Sequence, residues 1–243
     1  MKMLELPAGA DLMRLYHGFS DDFNYFVTTD LWTAVVTDTG TATVSDGGVG
    51  GILAITPSDG TVADNDEAYV SQTTETFVVA ADKPIIVEAL IQFTEGATDD
   101  ANIMFGLKDA WAANSLLDDG GGPAASYSGA VFFKVDGDTT WRVENSVAGT
   151  QKTTELDADG SLDGVAKTAG TAALYQTLRI EIRPHSSTLA DYLFFIDGVL
   201  VAKHKDQVYT SFTAAEVGFG IKNGAITTVE TLNVDYVFAY QKR

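Results

Sequence analysis

The sequence predicts an all-β fold: an antiparallel sandwich of the jelly-roll type, with at most one or two short helices. Three observations carry that expectation. Period-two alternation dominates after the first 18 residues, turn-forming Gly, Asp, Asn, Thr and Ser separate the apolar runs at short intervals, and almost no segment has a helical period.

The strands can be taken in order. "GGILAITP", "EAYVSQTTETFVV" and "NIMFGLK" are apolar, β-branched runs bounded by turn residues. "PIIVEALIQF" places Ile85, Val87, Ala89, Ile91 and Phe93 on one side. "GAVFFKV" and "TWRVENSV" follow a Gly-rich stretch, "LLDDGGGPAASYSG", which reads as a loop, as does "ELDADGSLDGVAKTAGTAA". "LRIEIRP" sets Leu178, Ile180 and Ile182 against Arg179, Glu181 and Arg183 and stops at Pro184. "YLFFIDGVLV" is a hairpin whose Asp197-Gly198 pair suits a type I′ turn. "VGFGIKNG" alternates Val217, Phe219 and Ile221 with small or polar residues. "NVDYVFAY" aligns Val234, Tyr236, Phe238 and Tyr240. "KDAWAANSLL" (108–117) reads as a short helix, with "DLMRLY" a weaker one.

The chain has 243 residues, enough for one large sandwich, expected here over 19–243 behind an N-terminal arm of residues 1–18. Its net charge of −19 repels phosphate backbones and anionic bilayers, so neither nucleic acid nor membrane is an expected partner. With no cysteine there is no disulfide framework, thiolate nucleophile or thiolate metal site. The first residues lack an apolar signal core and carry Glu5 and Asp11, and no apolar run approaches the ~18–20 residues of a membrane span. No secretory signal or transmembrane segment is therefore expected.

The order "YQTLRIEIRP", "YLFFIDGVLV" and closing "TLNVDYVFAYQ", preceded by "FSDDF", Trp32 and "GGILAIT", resembles concanavalin A-like and laminin-G-like jelly rolls over roughly residues 19–241. A nearer similarity, in "DNDEAYV", "IQFTEGATDDANIMFGL", "DDGGGPAASYSGAVFFKVDG" and "FIDGVLVAKH", is to virion proteins of tailed bacteriophages. That resemblance implies a non-enzymatic capsid decoration or head-associated protein at the virion surface. Its partners would be the major capsid protein or another virion protein and its own copies, a trimer suiting threefold positions. The concanavalin A-like resemblance implies an alternative, a lectin-like module that attaches to host or surface glycans.

Candidate residues follow from chemistry. Leu4, Leu6, Leu12, Met13, Leu15 and Tyr16 give the arm an apolar set for docking on a partner. Leu193 and Phe195 make the second face of "YLFFID" apolar, and "VFFKV" has the same property, which points to a second face covered by a loop, by the arm or by a neighbouring chain, or hidden by the sheet's own curvature. For a glycan, Trp32, Trp111 and Trp141 are the stacking aromatics; Trp141 reads as core, and Trp111 is the one to test. No cofactor is required. A structural Ca²⁺ would find donors in Asp157, Asp159 and Asp163, in Asp64 and Asp66, or in Asp99 and Asp100. "DADGSLDG" is not an EF-hand, because Leu162 stands where Gly belongs and Thr168 where a Glu does. No Glu-x-Asp-x-x-Glu triplet or Gly-x-Ser-x-Gly elbow supports a hydrolase, and His17, His185 and His204 are scattered, so no catalytic residue is expected.

Overall fold

A computed structural model describes residues 15–37, 39–45, 50–58, 61–170, 174–212, 214–224 and 229–243. Leu4, Leu6, Leu12 and Met13 lie outside the described residues. Fifteen strands form two antiparallel sheets, and no helical element accompanies them among the described residues.

The strands are β1 (Tyr16–Asp21), β2 (Trp32–Val36), β3 (Thr41–Val44), β4 (Leu53–Thr56), β5 (Glu67–Gln72), β6 (Ile85–Thr94), β7 (Asn102–Lys108) and β8 (Gly129–Lys134). They continue as β9 (Arg142–Val147), β10 (Thr150–Glu155), β11 (Gln176–Pro184), β12 (Leu189–Ile196), β13 (Val199–Val208), β14 (Glu216–Lys222) and β15 (Thr231–Lys242). The first sheet runs β13-β12-β11-β6-β15-β4-β3, with β1 also pairing β15; the second runs β10-β9-β8-β7-β14-β5-β2. Most neighbours are distant in sequence, as a jelly roll requires.

The inner faces of the two sheets build one core. Ile85, Val87 and Ala89 of β6, Leu178, Ile180 and Ile182 of β11, and Val217, Phe219 and Ile221 of β14 are fully buried, as their alternation predicts. Phe132 meets Trp141 and Phe194 edge-on, with centroids 6.3 and 5.5 Å apart. Trp141 is a core residue whose indole N–H donates to Gln176 Oε1 at 2.9 Å. Trp32 is buried likewise and donates to Asp21 Oδ2 at 2.8 Å.

Two expectations are corrected. β15 carries a register shift between Val234 and Tyr236 that reverses its inward face. Val234, Val237 and Ala239 are buried, whereas Tyr236, Phe238 and Tyr240 form a ladder on the outside, because one extra residue exchanges the faces downstream of a bulge. The helix expected over 108–117 is a turn-rich connection. Asn114 has φ +59°, and the amides of Trp111, Asn114 and Leu116 bond to Glu216, Glu67 and Tyr69 rather than to a helical ladder. Tyr16, assigned from sequence to the arm, opens β1 and pairs with Lys242.

Candidate functional site

The β4–β5, β6–β7, β8–β9 and β14–β15 connections leave the sandwich at one end, because antiparallel registers place Glu67 beside Lys222, Asn102 beside Lys222, and Thr94 beside Thr231. The turn residues that make these loops are short and polar, so they bring oxygen atoms together. Asn65 and Asp99 adopt φ +67° and +64°, left-handed values that Asn and Asp tolerate.

Lys134, at the end of β8, is a cation buried under this rim. Its ammonium is 2.7 Å from Glu95 Oε1 and donates to the carbonyls of Asp99 and Ala101, both at 3.0 Å. Asn102 Oδ1 accepts the Asp136 amide at 2.9 Å, and the Asn223 amide donates to the Asp66 carbonyl at 2.9 Å. The loops are thus braced by their own backbone. Yet Asn65 Oδ1, Asp100 Oδ2, Asn223 Oδ1 and both Glu230 carboxylate oxygens are buried without a hydrogen-bond partner. Glu230 is fully buried, and burial pushes its carboxyl up to about 8; Lys134 opposes that shift, and Glu95, Asp100 and Asp136 reinforce it. Desolvation, helped by Asp100, also raises the Asp136 carboxyl. Around the protonated Glu230 carboxyl, the oxygens of Asn65, Asp100 and Asn223 are acceptors short of donors.

The outward face of the second sheet is closed by the chain itself. The 109–128 connection lies over Tyr69, Met104, Val131, Phe133 and Val135 and buries Trp111, Leu116 and Tyr127 with them. Lys222 fastens it, donating to Asn114 Oδ1 at 3.0 Å, to the Leu116 carbonyl at 3.2 Å and to Asp118. Glu67 receives the Asn114 amide at 2.8 Å. A loop, rather than a neighbouring chain, therefore covers the second apolar face of "VFFKV". Trp111, the stacking aromatic singled out from sequence, is 5 % exposed; its ring lies against Gly218, and the Lys108 ammonium is 5.1 Å from it.

No family model matches the sequence, and no curated protein does. Solved structures match along nearly the whole chain. The carbohydrate recognition domain of Emp47p superposes with a TM-score of 0.60 at 14% identity, covering 95% of this chain and 98% of that one. Lectin UEA-II complexed with galactose gives 0.59 at 13% identity, covering 93% and 99%. The fold is the lectin-like jelly roll. Its neighbours also include an endo-1,3-β-glucanase from Streptomyces sioyaensis, with a TM-score of 0.58, 15% identity and coverage of 93% and 96%. On the outward face where the 109–128 connection lies, Glu144 is buried and accepts from Tyr127 at 2.8 Å, Gln151 at 2.9 Å and Thr153.

The other candidate residues are dispersed. Asp157 Oδ1 caps the amides of Asp159 and Gly160 at 3.0 and 2.7 Å, and Asp163 pairs with Lys167 at 2.6 Å. The Asp157 and Asp163 carboxylates of that loop thus have partners within it. Asp66 Oδ2 accepts the Ala63 amide at 2.9 Å, Asp64 is exposed, and Asp99 and Asp100 sit on the rim. Leu193 is 5 % exposed, and Phe195 is half-buried beneath Arg179; Leu15 is 44 % exposed. Asp136, Asn223 and Glu230 escaped sequence reasoning, since an Asp in a turn and a Glu before a strand look ordinary until burial removes their solvent. No described helix is long and apolar enough to cross a membrane.

Proposed function

We propose that the chain is a carbohydrate-binding module whose ligand hydroxyls are received at the loop rim. The observation that carries this reading is the set of buried, unpartnered oxygens of Asn65, Asp100, Asn223 and Glu230. An unsatisfied buried acceptor costs about 1–3 kcal/mol, and sugar hydroxyls are dense donors that would relieve it once the loops admit them. The fold shared with a carbohydrate recognition domain and a galactose-complexed lectin supports the assignment. A hard cation such as Ca²⁺ takes oxygen ligands of this kind; Asp100, Asn65 and Asn223 would offer theirs to it, and it would supply positive charge beside the ligand. None of the structures named above is a virion component, so capsid decoration rests on sequence resemblance alone.

The test is retention on a glycan array with Ca²⁺ and with EDTA, comparing the intact chain with Asp100→Asn and Glu230→Gln. Retention that falls at least about tenfold in either variant, at unchanged melting temperature, supports the rim. An intact chain retained by no glycan in either buffer disposes of the reading.

A further inference from the structure

At the opposite end of the first sheet, three side chains from consecutive segments meet. His185 follows β11, Asp191 lies on β12 and Asp206 on β13. The pairing of β12 with β13 steps from Ala190↔Gln207 to Tyr192↔His204, so Lys205 and Asp206 together face Asp191. Such a bulge re-aims side chains. Here Asp206 takes φ +54°, and its carboxylate reaches the same imidazole as Asp191.

His185 Nε2 is 3.3 Å from Asp206 Oδ1 and 3.6 Å from Asp191 Oδ1. All three donor atoms lie within 4.8 Å of one another. Zinc binds imidazole nitrogen and carboxylate oxygen at about 2.0–2.2 Å, and a regular tetrahedron of that radius has edges of roughly 3.3–3.6 Å. The 3.3 and 3.6 Å separations fall within that interval. The second oxygen of Asp191 is held by Lys203 Nζ at 2.6 Å, the outer-shell arrangement that fixes a ligating carboxylate. We propose that His185, Asp191 and Asp206 form a binding site for a divalent transition-metal ion, Zn²⁺ in the first instance, with a fourth position open to water. The imidazole disfavours Ca²⁺ and Mg²⁺, which take oxygen ligands in larger number. The site is independent of the glycan reading and far from the rim.

The experiment is calorimetric titration of ZnCl₂ into the EDTA-stripped full chain, with bound zinc counted after gel filtration. One zinc per chain is expected. His185→Ala and Asp206→Asn, both at exposed positions, should weaken binding by at least the roughly 10–100-fold that loss of an outer-shell partner alone costs, and Lys203→Met by about tenfold. Asp163→Asn, on a distant loop, should bind as the parent does. Zinc bound equally by parent and His185→Ala would show adsorption to the acidic surface and overturn the site. No bound zinc would leave the cluster as a histidine–carboxylate contact and overturn it equally.

Discussion

The Arg179 guanidinium lies 4.2 Å above the Phe195 ring, on the outward face of the first sheet where the two residues are cross-strand partners. Arg179 is also ion-paired to Glu181 at 3.3 Å, so the cation is held over the ring from its own strand. This contact covers half of the second apolar face of "YLFFID". Leu193, the other half, sits between Glu181 and Lys203 in the ladder, long side chains whose stems lie along apolar surface. Arg179→Ala should cost about 0.5–1 kcal/mol, a drop of about 1–4 °C in melting temperature, and raise binding of a hydrophobic dye. An unchanged dye signal would mean that Phe195 has other cover.

Lys222 and Glu67 hold the 109–128 connection, and they do so while almost fully buried, 3.4 Å apart. Lys222→Met would leave Glu67 buried without its cation and free three acceptors on the loop. A loss of about 3–5 kcal/mol in denaturant unfolding is expected, the range for breaking a buried pair at one partner. Amide exchange at 111–118 should accelerate beyond what the global loss explains; uniform acceleration would show that Lys222 stabilises the sheet and not the loop.

Gly218 tests the same cover from beneath. A Cβ at this position would overlap the Trp111 indole ring. Gly218→Ala should push Trp111 outward and red-shift tryptophan fluorescence, since Trp32 and Trp141 stay buried elsewhere in the core. Fluorescence identical to the parent would show that the sheet backbone yields instead.

These relationships show what sequence can carry. β6, β11 and β14 were legible because each has apolar residues at every second position, and that face lies in the core. β10, "TQKTTE", has no apolar residue to announce it: it is an edge strand, and its pairing with β9 alone makes it one. The bulge in β15 and the covering role of 109–128 depend on distant partners, Leu90 and Lys222 among them, which local pattern does not contain. The rim was half legible: Asp99 and Asp100 stood out as acidic turn residues, but the orphaned oxygens of Asn223 and Glu230 are a property of burial.

Glu230 gives the rim a pH signature. Its folded carboxyl titrates at about 8, against about 4.3 for a free Glu. Between those values the folded state binds the extra proton, so this group makes stability fall as pH rises from about 4.3 through 8. His204 acts oppositely over part of that window, because burial lowers its imidazole to about 4. The difference between parent and Glu230→Gln urea midpoints isolates the carboxyl. Glu230→Gln should gain on the parent progressively from pH 5 to 8.5, and a constant difference would refute a buried, proton-holding Glu230.

Lys108 should produce the opposite slope at higher pH. Three lysines are almost fully buried among the described residues, and Lys134 and Lys222 reach carboxylates. Lys108 instead donates to Ser115 Oγ at 2.9 Å and rests between the Trp111 and Tyr127 rings, each 5.1 Å away. Burial lowers its ammonium to about 8, with Asp109 and Glu216 holding back a larger fall. Between about 8 and the ordinary 10.4 the unfolded chain binds more protons than the folded one, so stability rises with pH across that interval. Below it the buried charge costs on the order of 3 kcal/mol relative to a free lysine. Lys108→Met should therefore abolish the rise in urea midpoint between pH 8 and 10.4 and leave the chain folded at pH 7. A rise of the same size in the variant would place its origin in another group.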